Sequence, residues 1–242
     1  MSQQYQQIFK ARGSSYDRAM GQFPDARDRE FSHLLDRVNL ETIFRVADIP
    51  SGGGYLQRHL PAIVEIDSYE PCSEFKTHHH GAPIDLENLV LTDDRYDLIV
   101  SLAAIHHVSN KARFIQRCYK GLKPGGLLCL ADVPANHSIS EFLDNFAGRH
   151  NGTGHSGDYL AVDKVEATAR AQGFSVLASE VKSCPWVFST QQDMMDFCTG
   201  LFSLTAVSDE ELLDALQHYV GITVTPHQIS LNWELLYISL QK

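Results

Sequence analysis

The chain has no CxxC pair, no basic excess, and no apolar run near the ~18 residues that a membrane span needs. Five cysteines occur in 242 residues: Cys72, Cys118, Cys129, Cys184 and Cys198. An odd, widely spaced set argues against a disulfide framework and suits a reducing cytoplasm. The opening MSQQYQQIFKARGSSYDRAM has no apolar core, so no signal peptide is expected. Acids outnumber Lys and Arg by 30 to 20, for a formal net charge of −10. That balance disfavours nucleic acid as a partner, since backbone binding needs a basic surface. Internal repeats and low-complexity segments are also absent.

What remains is an ordinary globular composition, 43% hydrophobic and 10% aromatic. Residues 1–40 read as polar helices, with Phe31, Leu34, Leu35 and Val38 at helical spacing. IFRVAD (43–48), AIVEIDSYE (62–70), RYDLIVSLAAI (95–105), GLLCLADV (126–133), SVLASEVKS (175–183) and WELLYISLQ (233–241) read as strands, with one more expected near PIDLENL (83–89). Helices are expected at 110–122, 138–149, 161–172, 190–203 and 209–219, with a turn at KPGG (123–126). Apolar strands alternating with helices imply a doubly wound α/β fold with a mainly parallel, seven-stranded sheet. The expected division is a helical cover (1–40), an α/β core (41–183 plus 231–242) and a helical insertion (184–230) roofing a pocket. THHHGAP (77–83) reads foremost as a solvated loop, because adjacent histidines point apart, and no metal site is expected.

VADIPSGGGYL (46–56) carries the main functional signal. A strand ends in an acid, and three glycines then lead into a helix, a turn that lets a ligand approach the backbone. The third glycine of a dinucleotide fingerprint is missing, as is the GK[ST] of a P-loop. Together with YDLIVSLAAIHHV and KPGGLLCLADV, in this order and spacing, the segment resembles the class I S-adenosylmethionine-dependent methyltransferases, in their small-molecule, type 11-like branch. The resemblance spans residues 40–183 and the last strand. Pro50 departs from the family pattern by standing where its first glycine usually lies.

The resemblance implies S-adenosylmethionine as cofactor, held by Asp48, Pro50, Gly52 and Gly54. Glu70 would hold the ribose hydroxyls, with Asp67 as the alternative. Asp85 and Leu86 would lie at the adenine, Ser101 and Ala103 at the methionine end, and Tyr16 over the sulfonium. His106 and His107 follow the fourth strand, where they either pack the cofactor or act as acid and base. Asp132 and the loop histidines His150 and His155 are further catalytic candidates. The implied reaction is methyl transfer to O or N of a small organic molecule, with no nucleic-acid or membrane partner. A methyltransferase-like protein that binds the cofactor without methylating is the alternative.

Overall fold

Continuous apolar runs predict strands buried on both faces, and the computed structural model, which describes residues 5–75 and 84–242, has that sheet. In chain order the strands are β1 (Arg45–Asp48), β2 (Glu65–Ser68), β3 (Tyr96–Leu102), β4 (Leu122–Asp132), β5 (Ser175–Ser183), β6 (Trp186–Phe188), β7 (Ile222–Val224), β8 (Ile229–Leu231) and β9 (Glu234–Gln241). Six form the main sheet in the order β2-β1-β3-β4-β9-β5. The first four run parallel, and β9 lies antiparallel between β4 and β5.

The helices are α1 (Tyr5–Gln22), α2 (Asp28–Leu35), α3 (Lys111–Gly121), α4 (Ser138–Glu141), α5 (Gly148–His150), α6 (Val162–Ala171), α7 (Gln191–Phe202) and α8 (Asp209–Tyr219). A π-helical stretch, Phe142–Ala147, joins α4 to α5. Strand alternation sorts the core into two layers. Val46, Leu98, Val100, Cys129 and Ala131 pack with Leu34 of α2 and Phe197 of α7. Their neighbours Ala47, Ile99, Leu128 and Leu130 pack with Phe114 of α3 and Val165 of α6. All five cysteines are buried and free.

Two expectations need correction. The seventh strand near 83–89 does not form among the described residues of that segment. There the Asp85 carboxylate accepts from the Glu87 amide at 2.9 Å and from the Asn88 side chain at 2.6 Å, closing a turn instead of leaving an extended edge. KPGG is not a separate turn either. It forms the irregular start of β4, with Gly125 at φ 80° and a register shift opposite Tyr96 and Leu98. The triple histidine at 78–80 lies outside the described residues. Residues 184–230 carry, besides two helices, a small antiparallel sheet in the order β6-β8-β7.

A buried ion pair ties the N-terminal helices to this last segment. Arg27 Nε donates to Glu30 at 3.0 Å, and Trp186 Nε1 donates to the other Glu30 oxygen at 2.6 Å. Glu30 is fully buried, Arg27 lies over the Trp186 ring, and Trp186 stacks on Trp233 at 4.2 Å. Removing one partner strands the other charge in the core. Glu30→Ala is therefore expected to cost about 3–5 kcal/mol in urea unfolding, whereas Arg27→Met combined with Glu30→Leu should cost far less.

Candidate functional site

The loop after β1 is sewn to the end of β2 by backbone bonds. Tyr69 N donates to Asp48 O, and Ser51 N to Tyr69 O, both at 2.9 Å. Pro50, which follows a cis peptide, and Ser51 carry the chain into Gly52 (φ 50°) and Gly54 (φ 74°), conformations that disfavour side chains. Gly53 is bare for a different reason: a Cβ there would lie 2.3 Å from the Tyr55 ring and 2.5 Å from Asp17 Oδ1.

Glu70 sits beside this loop. Its carboxylate accepts from Gly52 N at 2.8 Å, Cys72 N at 2.9 Å and the Tyr5 hydroxyl at 3.2 Å. Burial pushes its pKa up to about 7 against the pull of these donors. Burial, then the neighbouring Glu70 charge, also holds Asp48 well above the usual carboxylate range. Asp67 is engaged elsewhere, with Arg45, Arg95 and the Tyr96 hydroxyl. Those bonds outweigh its burial and depress its pKa.

Helix α1 closes the top. Tyr5, Phe9, Arg12 and Tyr16 recur at helical spacing and line one wall of a cavity of about 110 Å³, opposite Pro50, Gly52 and Ala103. Arg12 is only 5% exposed, and its Nε has no hydrogen-bond partner among the described residues. No carboxylate pairs with it there, and burial drives its pKa down to about 10. The Tyr16 hydroxyl accepts from Arg27, which fixes its ring against the cavity. Asp85 and Leu86 border a smaller pocket of about 20 Å³ on the far side of Tyr5 and His107. Ser101 is buried within β3 and does not line the main cavity, whereas Ala103 does.

The histidines meet at the wall beyond β3. His106 and His107 lie on the 3₁₀ turn Ile105–His107, with rings 3.9 Å apart. His155 arrives from the loop after α5, its ring 5.4 Å from His106 and 5.2 Å from His107. One potential ligand nitrogen from each falls within 4.8 Å of the others. Asp132, fully buried behind His106, accepts from its backbone N at 2.9 Å and contacts its Nδ1 at 2.6 Å. Asp144 meets His155 Nδ1 at 2.7 Å and also accepts from the Tyr159 hydroxyl. Burial lowers the His155 pKa, and Asp144 partly offsets it.

Of the expected residues, the fold thus gathers Tyr16, Asp48, Pro50, Gly52, Ala103, His106, His107 and His155 on one cavity. Gly54 shapes the loop, and Asp132 lies behind His106, in contact with its ring. His150 stands apart: its ring packs on Phe146, and its carbonyl accepts from Thr205 N at 2.6 Å. Sequence reasoning missed Phe9, Arg12 and Asp144. The first two carried a signal in the stripe Tyr5, Phe9, Arg12, Tyr16.

Comparisons with known proteins find related chains. Residues 47–130 match a family model described as a methyltransferase domain. A ubiquinone biosynthesis O-methyltransferase of Rhizobium rhizogenes is 25% identical over 55% of this chain and 61% of its own length. A protein of Mycolicibacterium smegmatis named a probable S-adenosylmethionine-dependent methyltransferase is 26% identical over 61% of this chain and 64% of its own. The chain therefore spans less than two thirds of these relatives. Among solved structures, an S-adenosylmethionine-dependent methyltransferase from Thermotoga maritima superposes with a TM-score of 0.63 at 15% identity, covering 97% of this chain and 98% of that one. At that identity the likeness is one of fold.

The raised Glu70 pKa has a measurable consequence. Between the ordinary value of 4.5 and about 7 the native state holds a proton that the unfolded chain has released. The stabilisation is complete below pH 4.5 and is lost as pH rises through 7. Glu70→Gln removes the ionisation, so the variant should gain on the parent by roughly 1–3 kcal/mol between pH 5 and 8. Urea unfolding at both pH values checks this, and a constant difference would contradict it.

Proposed function

We propose that the chain is a class I S-adenosylmethionine-dependent methyltransferase, as its match over residues 47–130 and its methyltransferase relatives support, and that it methylates a hydroxyl of a small, largely apolar organic molecule. The observation that carries this reading is Arg12, a buried guanidinium with no carboxylate partner among the described residues, facing the same cavity as the glycine loop. Such an orphaned cation fits the carboxylate of the cofactor's methionine part, and the bare backbone at Gly52 leaves that part room. Glu70 suits the two ribose hydroxyls, exchanging the Tyr5 hydroxyl for them. Asp85 and Leu86 border the small pocket beside Tyr5 and His107, which must widen to take the adenine.

S-Adenosylmethionine, when bound, supplies a methyl group that is already activated. The chain's own task is to position the acceptor and keep water away. Tyr16, its ring held by Arg27, presents an aromatic face worth about 0.5–2 kcal/mol to a nearby cation. Trp186, Phe202 and Trp233 line the far end of the cavity and suit an aromatic or other flat, apolar acceptor. A phenol ionises near pH 10, so its proton must be drawn off at working pH. The His106, His107 and His155 cluster faces the cavity and serves that step. Hydroxyl methylation is further supported by the similarity to ubiquinone biosynthesis O-methyltransferases. Buried, unpaired cysteines and the acidic charge favour a cytoplasmic setting and a small-molecule partner over nucleic acid.

Calorimetric titration with S-adenosylhomocysteine should show micromolar binding, and NAD should show none. Arg12→Ala removes a charge-assisted contact of about 1.5–3 kcal/mol, a loss of roughly 10- to 150-fold in affinity. An unchanged affinity would remove Arg12 from the site. Methyl transfer to a panel of phenols and amines then tests turnover. Tight binding without transfer to any of them would favour a cofactor-binding protein that does not methylate.

A further inference from the structure

Three imidazoles converge on one wall of the cavity, and methyl transfer by itself needs at most one base. Their arrangement is that of a ligand set. One nitrogen of each ring falls within 4.8 Å of the other two. The Nδ1 atoms of His106 and His155 are each held by a carboxylate, Asp132 at 2.6 Å and Asp144 at 2.7 Å. That leaves Nε2 of both rings for a ligand, and a carboxylate behind an imidazole is the usual device for fixing a metal-binding tautomer. Asp132 and Asp144 offset the charge of one divalent ion, leaving the Arg12 guanidinium as a positive charge on that cavity.

We propose that His106, His107 and His155 bind one divalent ion of the zinc class, whose open position faces the cavity and receives the acceptor's oxygen. Neutral imidazole ligands favour zinc and its neighbours over calcium or magnesium, which take oxygen. A tetrahedral ion at about 2.0–2.1 Å from each nitrogen holds the three about 3.3 Å apart. The rings therefore close in slightly around it. His155 can follow, because it lies on a segment with neither helix nor strand.

This deepens the function proposed above and rests on it only for the acceptor's arrival. A hydroxyl on the ion loses its proton to water at a far lower pH than when free. The resulting oxyanion forms the new O–C bond as the methyl–sulfur bond breaks, and that electron pair stays on sulfur. The ion and the cofactor would thus share one cavity, each holding one end of the transfer.

The test uses the full chain without an affinity tag, in a background carrying His78→Ala, His79→Ala and His80→Ala so that the triple-histidine segment contributes nothing. After treatment with a chelator, the protein should take up one Zn²⁺ per chain by elemental analysis. With Co²⁺ it should show the intense visible bands of a four-coordinate site. His155→Ala should abolish stoichiometric uptake, and Asp144→Asn should weaken it by roughly 10- to 100-fold. Far-UV circular dichroism and cooperative urea unfolding of each preparation confirm the fold, and binding of S-adenosylhomocysteine is measured alongside. If the background protein binds S-adenosylhomocysteine but takes up no stoichiometric metal, the metal site is overturned and the methyltransferase reading stands. Uptake that survives both substitutions also overturns it. Stoichiometric uptake lost in His155→Ala supports it, even if S-adenosylhomocysteine fails to bind, in which case only the methyltransferase reading falls.

Discussion

One half-buried carboxylate ties together the glycine-loop end of this molecule. Glu70 accepts hydrogen bonds from the glycine loop, from the chain just past β2 and from the first turn of α1. The loop and the chain past β2 are also joined by the Tyr69 backbone bonds, and α1 reaches both from far away in sequence. Without the acid, the loop amide at Gly52 and the amide at Cys72 would lose the acceptor they share, and Tyr5 would lose its anchor. The same burial that makes these bonds strong keeps the group near its protonated form, so the junction is firm yet sensitive to charge.

The sheet explains why the polar groups gather where they do. Asp48, Glu70, His106 and Asp132 all lie at or just beyond the carboxyl ends of parallel strands. Both faces of those strands are already committed to apolar layers, so the strand ends are the natural place for chemistry. The segment from 184 onward adds a second wall rather than a second core. Trp186 and Trp233 pack beneath it and bind it through Glu30 to the N-terminal helices. The two ends of the cavity are thereby built from different parts of the chain and meet in one space.

Much of this could be read from the residues in advance, for reasons that differ by element. Strands β1, β3 and β4 announce themselves as long apolar runs, and the glycines and His106 follow from their ends. The six-strand count did not follow. PIDLENL alternates like a strand, yet Asp85 prefers to close a turn on its own backbone. The small sheet of β6, β7 and β8 has three residues per strand, too few for a period to show. His155 and His150 looked alike in a glycine-rich loop. Only the contact with Asp144, eleven residues earlier, turns one of them inward. Arg12 was missed because a charged residue on a polar helix reads as solvated until the helix is docked.

The docking of α1 also sets a kinetic constraint. The helix lies across the cavity, and its other flank fits so closely against α7 that a Cβ on Gly200 would sit 2.9 Å from Ala19 Cβ. Ser15 fastens the same seam by donating to Gly200 O at 2.8 Å. Leu201 and Phe202 of α7 line the same cavity as Tyr5, Phe9, Arg12 and Tyr16 of α1, so a segmental motion that parts the two helices would widen the cavity from both walls at once. Ligand exchange that depends on such a motion would saturate with ligand concentration instead of rising without limit.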